Sequence, residues 1–235
     1  MVAHKLTLGS ISRYTVAFML AFVVLVPLAM TVFGGLKTTG DLLANPISWP
    51  DQFHWENYGG ILQSESFWTQ MRNSLFVMLA TSIGLVFLAS MPAFIFARVN
   101  FAGREVIFNF FMLGLLFPLA VAILPLYISL RTLNLLDTHW GIILPQIAFG
   151  LPGTILILRG FFAALPREVE DAAYIDGCTI FGLFWHVALP LVRPALAAVF
   201  VLAMVGSAIN STAVKEVGPG KSSTTPVTVA IISSL

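Results

Sequence analysis

The chain has 235 residues, of which 58% are hydrophobic and only 10% charged, with a formal net charge of +1 and a mean hydropathy of +0.92. A soluble domain carries about a quarter charged residues, so this composition excludes an ordinary water-soluble globule, a disordered chain and a basic nucleic-acid binder. A single cysteine excludes a disulfide framework and a four-thiolate metal site.

Intervals without charge predict the elements. A helix needs about 20 apolar residues to cross the hydrocarbon core. The sequence offers such segments at about 14–34, 74–97, 106–130, 140–160 and 194–209. The apolar run Tyr14–Phe33 exceeds the roughly 7–15 residues of a secretory signal core, so it reads as a span. Residues 1–13 precede it as a cytoplasmic N-terminus. Pro27, Pro92, Pro118, Pro125, Pro145 and Pro152 fall inside these segments. They predict kinks rather than breaks, because neighbouring helices in a membrane bundle satisfy the freed carbonyls. The expected fold class is all-α, a polytopic membrane helical bundle of about five spans.

Lysines and arginines in the short loops set the orientation. With the N-terminus in the cytoplasm, Lys5, Arg13, Arg98, Arg104, Arg159, Arg167 and Arg193 lie inside, and Lys37, Arg72, Arg131, Lys215 and Lys221 outside. Residues 37–72 hold Trp49, Trp55, Tyr58 and Trp68, which suits a folded, partly interfacial outside loop. Residues 163–193 form the long cytoplasmic loop.

In that loop Pro166 fits a first helical turn, and Glu168, Glu170 and Asp171 complement the positive end of the helix dipole. Gly177 is placed as a C-terminal stop, and Thr179 as the cap of a second short helix. There Phe181, Phe184, Trp185 and Ala188 fall at i, i+3, i+4 and i+7 and predict one apolar face, ended by Leu189-Pro190. The bland reading is an amphipathic hairpin on lipid headgroups. Ala172 and Ala173 beside acidic residues favour instead close docking against another protein.

Glu170-Asp171-Ala172-Ala173-Tyr174-Ile175-Asp176-Gly177, followed by Leu189-Pro190, resembles the EAA loop of the permeases of ABC importers, with Asp171 where that family usually has Glu. Thr138–Pro145, Leu156–Phe162, Leu124–Tyr127 and Trp55–Tyr58 with Asn73–Leu75 are similar to the carbohydrate, maltose-permease-like subgroup. The resemblance implies a binding-protein-dependent transport subunit rather than an enzyme, with no cofactor, no catalytic residue and no metal. It implies cytoplasmic ABC ATPase subunits, a second permease subunit and an extracytoplasmic solute-binding protein as partners in a prokaryotic inner membrane. The loop of Glu168, Glu170, Asp171, Ala172, Ala173, Asp176, Gly177, Leu189 and Pro190 would couple ATPase closure to the bundle, and the 37–72 loop would face the binding protein. Solute contacts would come from the middle helices, with Asn109 and Gln146 as candidates.

The family has six spans. Residues 208–235 read instead as a divergent polar tail, so the last span is expected to be lacking. Two other readings remain at this stage. A non-transport scaffold or inactive permease would leave Gly177 without a task. An intramembrane metalloenzyme would need clustered ligands, whereas His4, His54, His139 and His186 are scattered and no HExxH spacing occurs. Cys178 has no base beside it and reads as a small apolar residue. The near-absence of ionisable residues inside the spans offers no proton relay and suits neutral cargo.

Overall fold

A computed structural model describes the backbone of residues 8–211 and the side chains of 14–118 and 121–209. These residues are helical or irregular, with no strand among them. They fall into two units, 1–68 and 69–235.

In the first unit, α1 (Leu8–Gly34) is continuous through Pro27. Its apolar stretch Tyr14–Gly34 has a mean hydropathy of 2.7, and none of its best window is buried. Beyond it come α2 (Thr39–Ala44), capped by the Thr38 hydroxyl accepting from Asp41 N, and α3 (Trp55–Gln63). This segment is folded back on the end of α1. The Tyr58 hydroxyl donates to the Val32 carbonyl at 2.8 Å, and Asn57 donates to the Gly35 and Lys37 carbonyls. Lys37 is buried and gives its ammonium protons to the Asn45 carbonyl at 2.8 Å and the Ser48 hydroxyl at 3.0 Å.

The second unit is built on α4 (Glu65–Arg98), whose first residues belong to the first unit. It continues with α5 (Arg104–Leu113), a 3-10 turn (Gly114–Leu116), α6 (Leu119–Thr132), α7 (Trp140–Ala163) and α8 (Arg167–Ile175). Short pieces follow: α9 (Ile180–Gly182), a π-helical turn (Leu183–Ala188) and α10 (Leu189–Leu191), before α11 (Arg193–Ser211). Contacts between α4 and α7 keep a nearly constant sequence offset, from the Phe76–His139 ring pair to Phe94–Phe162. The two helices therefore run in the same direction. In lipid, helix association rests on close van der Waals packing between small residues rather than on hydrophobic expulsion. Gly84 illustrates this: a Cβ there would sit 2.7 Å from Ile147 Cδ1. Ala89 and Ala93 of α4, Ile155, Leu158 and Phe162 of α7 and Ala195 and Val199 of α11 share one core cluster.

Among the described residues three helices are long and apolar enough to cross a membrane, α1, α4 and α7, and the number rises to five if each of two bent pairs is one span. One pair departs from the expected single 106–130 span. Arg104–Leu116 and Val121–Thr132 meet at 101°. Proline drives its preceding residue out of the α region, and Phe117, before Pro118, is extended at φ −80°, ψ 114°. Pro118 thus breaks the segment, whereas Pro27, Pro92, Pro125, Pro145 and Pro152 sit inside continuous helices. The second pair, Ile180–Leu191 and Arg193–Ile209, is bent by 75° at Val192. Leu189-Pro190 therefore does not end the preceding helix, which runs on to Leu191. Pro190 sits directly after the π-helical turn, one residue before the helix ends at Leu191. Residues 212–235, most of the tail set apart in the sequence, lie outside the described residues.

Candidate functional site

The acidic loop folds as a helix with two chemically distinct faces. Along α8 the residues Glu168, Asp171, Ala172 and Ile175 follow the i, i+3, i+4, i+7 spacing of one helical face, and all four are exposed. Val169, Glu170 and Ala173 occupy the opposite side and turn into the bundle. Ala173 is buried in the cluster that contains Phe162, Leu183, Phe184 and Ala188. Of the two alanines that suggested close docking, only Ala172 is therefore free to meet a partner. Ala173 is consumed by the chain's own packing.

Glu170 is held by a residue far away in sequence. Its Oε1 lies 2.8 Å from Arg98 Nε, and the two side chains are only 15% and 7% exposed. The Arg98 Nε–H donates to the Phe162 carbonyl at 2.9 Å, and Nη2 donates to the Leu165 carbonyl. Arg98 closes the last turn of α4, so one guanidinium joins the end of α4, the carbonyl end of α7 and the inner face of α8. A cation at the final carbonyls of a helix is favoured by the helix dipole, and the buried carboxylate completes its charge balance.

The C-terminal end of α8 is a Schellman motif. Cys178 N–H donates to the Ala173 carbonyl at 2.9 Å, and Gly177 N–H to the Tyr174 carbonyl at 3.0 Å. The residue between helix and exit must be left-handed, and Gly177 has φ +81°. Cys178 packs against the core cluster, in keeping with a small apolar role. Thr179 then caps the next helix, its hydroxyl accepting from Gly182 N at 3.3 Å.

The apolar face expected from Phe181, Phe184, Trp185 and Ala188 takes a different form. The segment Leu183–Ala188 is π-helical, with an i to i+5 bonding pattern that stacks Leu183 over Ala188. Leu183, Phe184 and Ala188 point inward, while Phe181 stays 76% exposed. Ile175, 86% exposed, is the apolar group beside the outward acids Asp171 and Asp176. Leu189 and Pro190 are half-buried and belong to the rod that leads into α11.

Three of the arginines expected on one side of the membrane, Arg98, Arg104 and Arg159, lie at one end of the second unit. Arg159 reaches Glu105 at 2.6 Å and lies over the Phe108 ring at 3.9 Å, and Arg104 contacts Glu105 and Asn100. The solute candidates separate: Asn109 is on an exposed face of α5, whereas Gln146 on α7 has a buried, unpaired Oε1. Thr81 and Ser207, likewise buried without a partner, went unnoticed in the sequence because isolated hydroxyls in apolar runs carry no pattern. The described histidines have structural partners: His54 binds Glu56 at 2.6 Å, His186 binds the Gly182 carbonyl, and His139 meets the Phe76 ring. His4 lies outside the described residues.

Residues 85–235 match the family of binding-protein-dependent transport system inner membrane components. The chain belongs to that family. The matched part of this inner-membrane component takes in α8, its Schellman turn and α11. Relatives include the diacetylchitobiose uptake system permease protein of Streptomyces coelicolor, 37% identical over 78% of this chain and 61% of the relative. The sulfoquinovosyl glycerol transport system permease protein of Agrobacterium fabrum is 32% identical over 85% and 70%. The arabinooligosaccharides transport system permease protein of Bacillus subtilis is 32% identical over 80% and 68%. The chain thus spans about three fifths of the first relative's length. In fold it is similar to a bacterial ABC transporter involved in the import of the acidic polysaccharide alginate, with a TM-score of 0.69 at 21% identity, over 88% of this chain and 73% of that one.

Proposed function

We propose that this chain is a permease subunit of an ATP-driven carbohydrate importer, and that the outward face of α8 receives the motion of a cytoplasmic ATPase. Family membership supports the transport reading, and the three permease relatives named above carry sugar-derived solutes in their names. The loop geometry supports the coupling reading. Glu168, Asp171, Ala172 and Ile175 form a small, acidic and partly apolar outward face, while Glu170 and Ala173 lock the same helix to α4 and α7. A push on one face is then carried to the bundle by a rigid body. ATP binding and pathway opening become coupled equilibria, each biasing the other through α8.

In this account Asp171 and Asp176 meet basic groups on the ATPase, and Ala172 permits close approach. Gly177 fixes the turn, and Leu189-Pro190 relays the loop to α11. A second permease subunit and an extracytoplasmic solute-binding protein complete the assembly in the inner membrane, with the N-terminus cytoplasmic. Reconstitution of the chain with these partners tests the reading. Uptake of a labelled oligosaccharide that requires both ATP and the binding protein is expected. Assembly with no ATP-dependent uptake of any sugar tried would reject it.

A further inference from the structure

The segment between α1 and α3 carries a large exposed apolar surface. Leu43 and Ile47 are each 80% exposed, and Trp49 and Trp55 about two thirds exposed. Such a run of large apolar groups is unstable against water and marks an interaction surface. Three observations name the occupant.

The first is depth. The apolar run Tyr14–Phe33 of α1 spans about 30 Å at 1.5 Å per residue, which is the thickness of the hydrocarbon core. Phe33 therefore stands at the boundary of that core. The Trp49 ring centroid lies 4.5 Å from that of Phe33, so Trp49 occupies the same level. From there the rings step along the segment, Trp49 to Phe53 at 6.2 Å and Phe53 to Trp55 at 6.3 Å. Amphipathic aromatic rings at that depth form the interfacial belt of membrane proteins.

The second is continuity. The α1 span has none of its best window buried, and the aromatic ladder extends its exposed apolar surface through Phe33. The third is internal polarity. The single cation of the segment, Lys37, is turned inward onto the Asn45 carbonyl and Ser48 hydroxyl. Leu43, Ile47 and Trp49 are left outside. The segment's one cation is thus used to fold it, while Asp51 stays at the exposed surface among the large apolar groups.

We infer that residues 42–55 form an interfacial anchor that lies in the headgroup–acyl boundary where α1 ends. Leu43, Ile47, Trp49 and Trp55 partition into lipid rather than against a protein partner. The anchor sets the depth of α1 and holds the outer segment flat on the bilayer. An apolar face of this kind sinks about 5–10 Å into the boundary.

The test uses the full chain with Cys178→Ala, reconstituted in liposomes of phosphatidylethanolamine and phosphatidylglycerol. Single nitroxide labels are placed at Ile47→Cys and, separately, at Leu43→Cys. Phe18→Cys in mid-α1 gives the lipid reference and Asp176→Cys the aqueous one. The collision ratio of oxygen over a water-soluble nickel chelate is read at each. The expected ratio at 43 and 47 is several-fold above that at 176 and below that at 18. Ratios at 43 and 47 equal to that at 176 overturn the anchor, and shielding only after a solute-binding protein is added assigns the surface to that protein instead. A water-like Phe18 label would overturn the span itself, a failure separate from the anchor's.

Discussion

Replacing Arg98 with alanine removes three contacts at once. Glu170 is left as a largely buried carboxylate without its cation, and the Phe162 and Leu165 carbonyls lose their donor. Removing one partner of a buried pair costs about 3–5 kcal/mol. Glu170→Gln is milder, because Arg98 keeps both carbonyls and only a charge contact is lost. Its Nε proton is already given to Phe162, so the loss is bounded by the scale of one charged interaction, about 1.5–3 kcal/mol. Arg98→Lys should fall between the two, since one ammonium cannot reproduce the fork that reaches two carbonyls and a carboxylate. Unfolding of the full chain in mixed micelles, followed by tryptophan fluorescence, reads this order. Amide exchange adds the location, with α8 accelerated in Glu170→Gln and the middle of α4 unchanged. A Glu170→Gln variant as unstable as Arg98→Ala would refute the clamp, because the carbonyl contacts would then contribute nothing.

Other outcomes follow from the same geometry. Ala173→Leu should destabilise the chain by about 1–3 kcal/mol through overpacking, whereas Ala172→Leu should leave the melting transition in place and weaken co-purification with the ATPase. Gly177→Val forces a β-branched residue to φ +81° and should cost about 1–3 kcal/mol, while Gly177→Asn should recover most of that in the same melt. Ile175→Asp and Phe181→Asp, on exposed positions, should not alter stability but should reduce ATPase association in a pull-down. The hydrogen bond from His54 holds the Glu56 carboxyl below its ordinary value of 4.5. A depressed folded-state pKa contributes stability above the unfolded value and loses it as pH falls through the folded one. Order in the α3 N-terminus should therefore decline only below about pH 4.5, seen as faster amide exchange there, and His54→Ala should weaken that pH dependence.

Much of this architecture is readable from residues alone, where the signal is local. Gly177 as a stop, Thr179 as a cap and the apolar α1, α4 and α7 all rest on short-range chemistry and appear as expected. The grouping of Arg98, Arg104 and Arg159 at one end followed from loop charges. What stayed hidden depends on partners distant in sequence. Nothing near Glu170 announces Arg98, so an inward carboxylate looked like part of a docking surface. Ala173 could have been separated from Ala172 by projecting α8 on a wheel, since the exposed Ile175 shares a face with Ala172. The π-helical turn defeats a 3.6-residue count, which is why Phe181 does not share the inward face of Phe184 and Ala188. Pro118 breaks its segment through the extended Phe117 before it, while Pro125 sits inside a continuous helix.

The claim that matters most is that α8 meets the ATPase with its Ala172 face. Single cysteines at 172 and 173, in a Cys178→Ala background and in membranes containing the ATPase subunit, test it directly by cross-linking with a short bifunctional maleimide. The account predicts a permease–ATPase product from Ala172→Cys whose yield changes when a non-hydrolysable ATP analogue is added, and none from Ala173→Cys. Equal cross-linking from both positions, or none from 172 in an assembled complex, would contradict it.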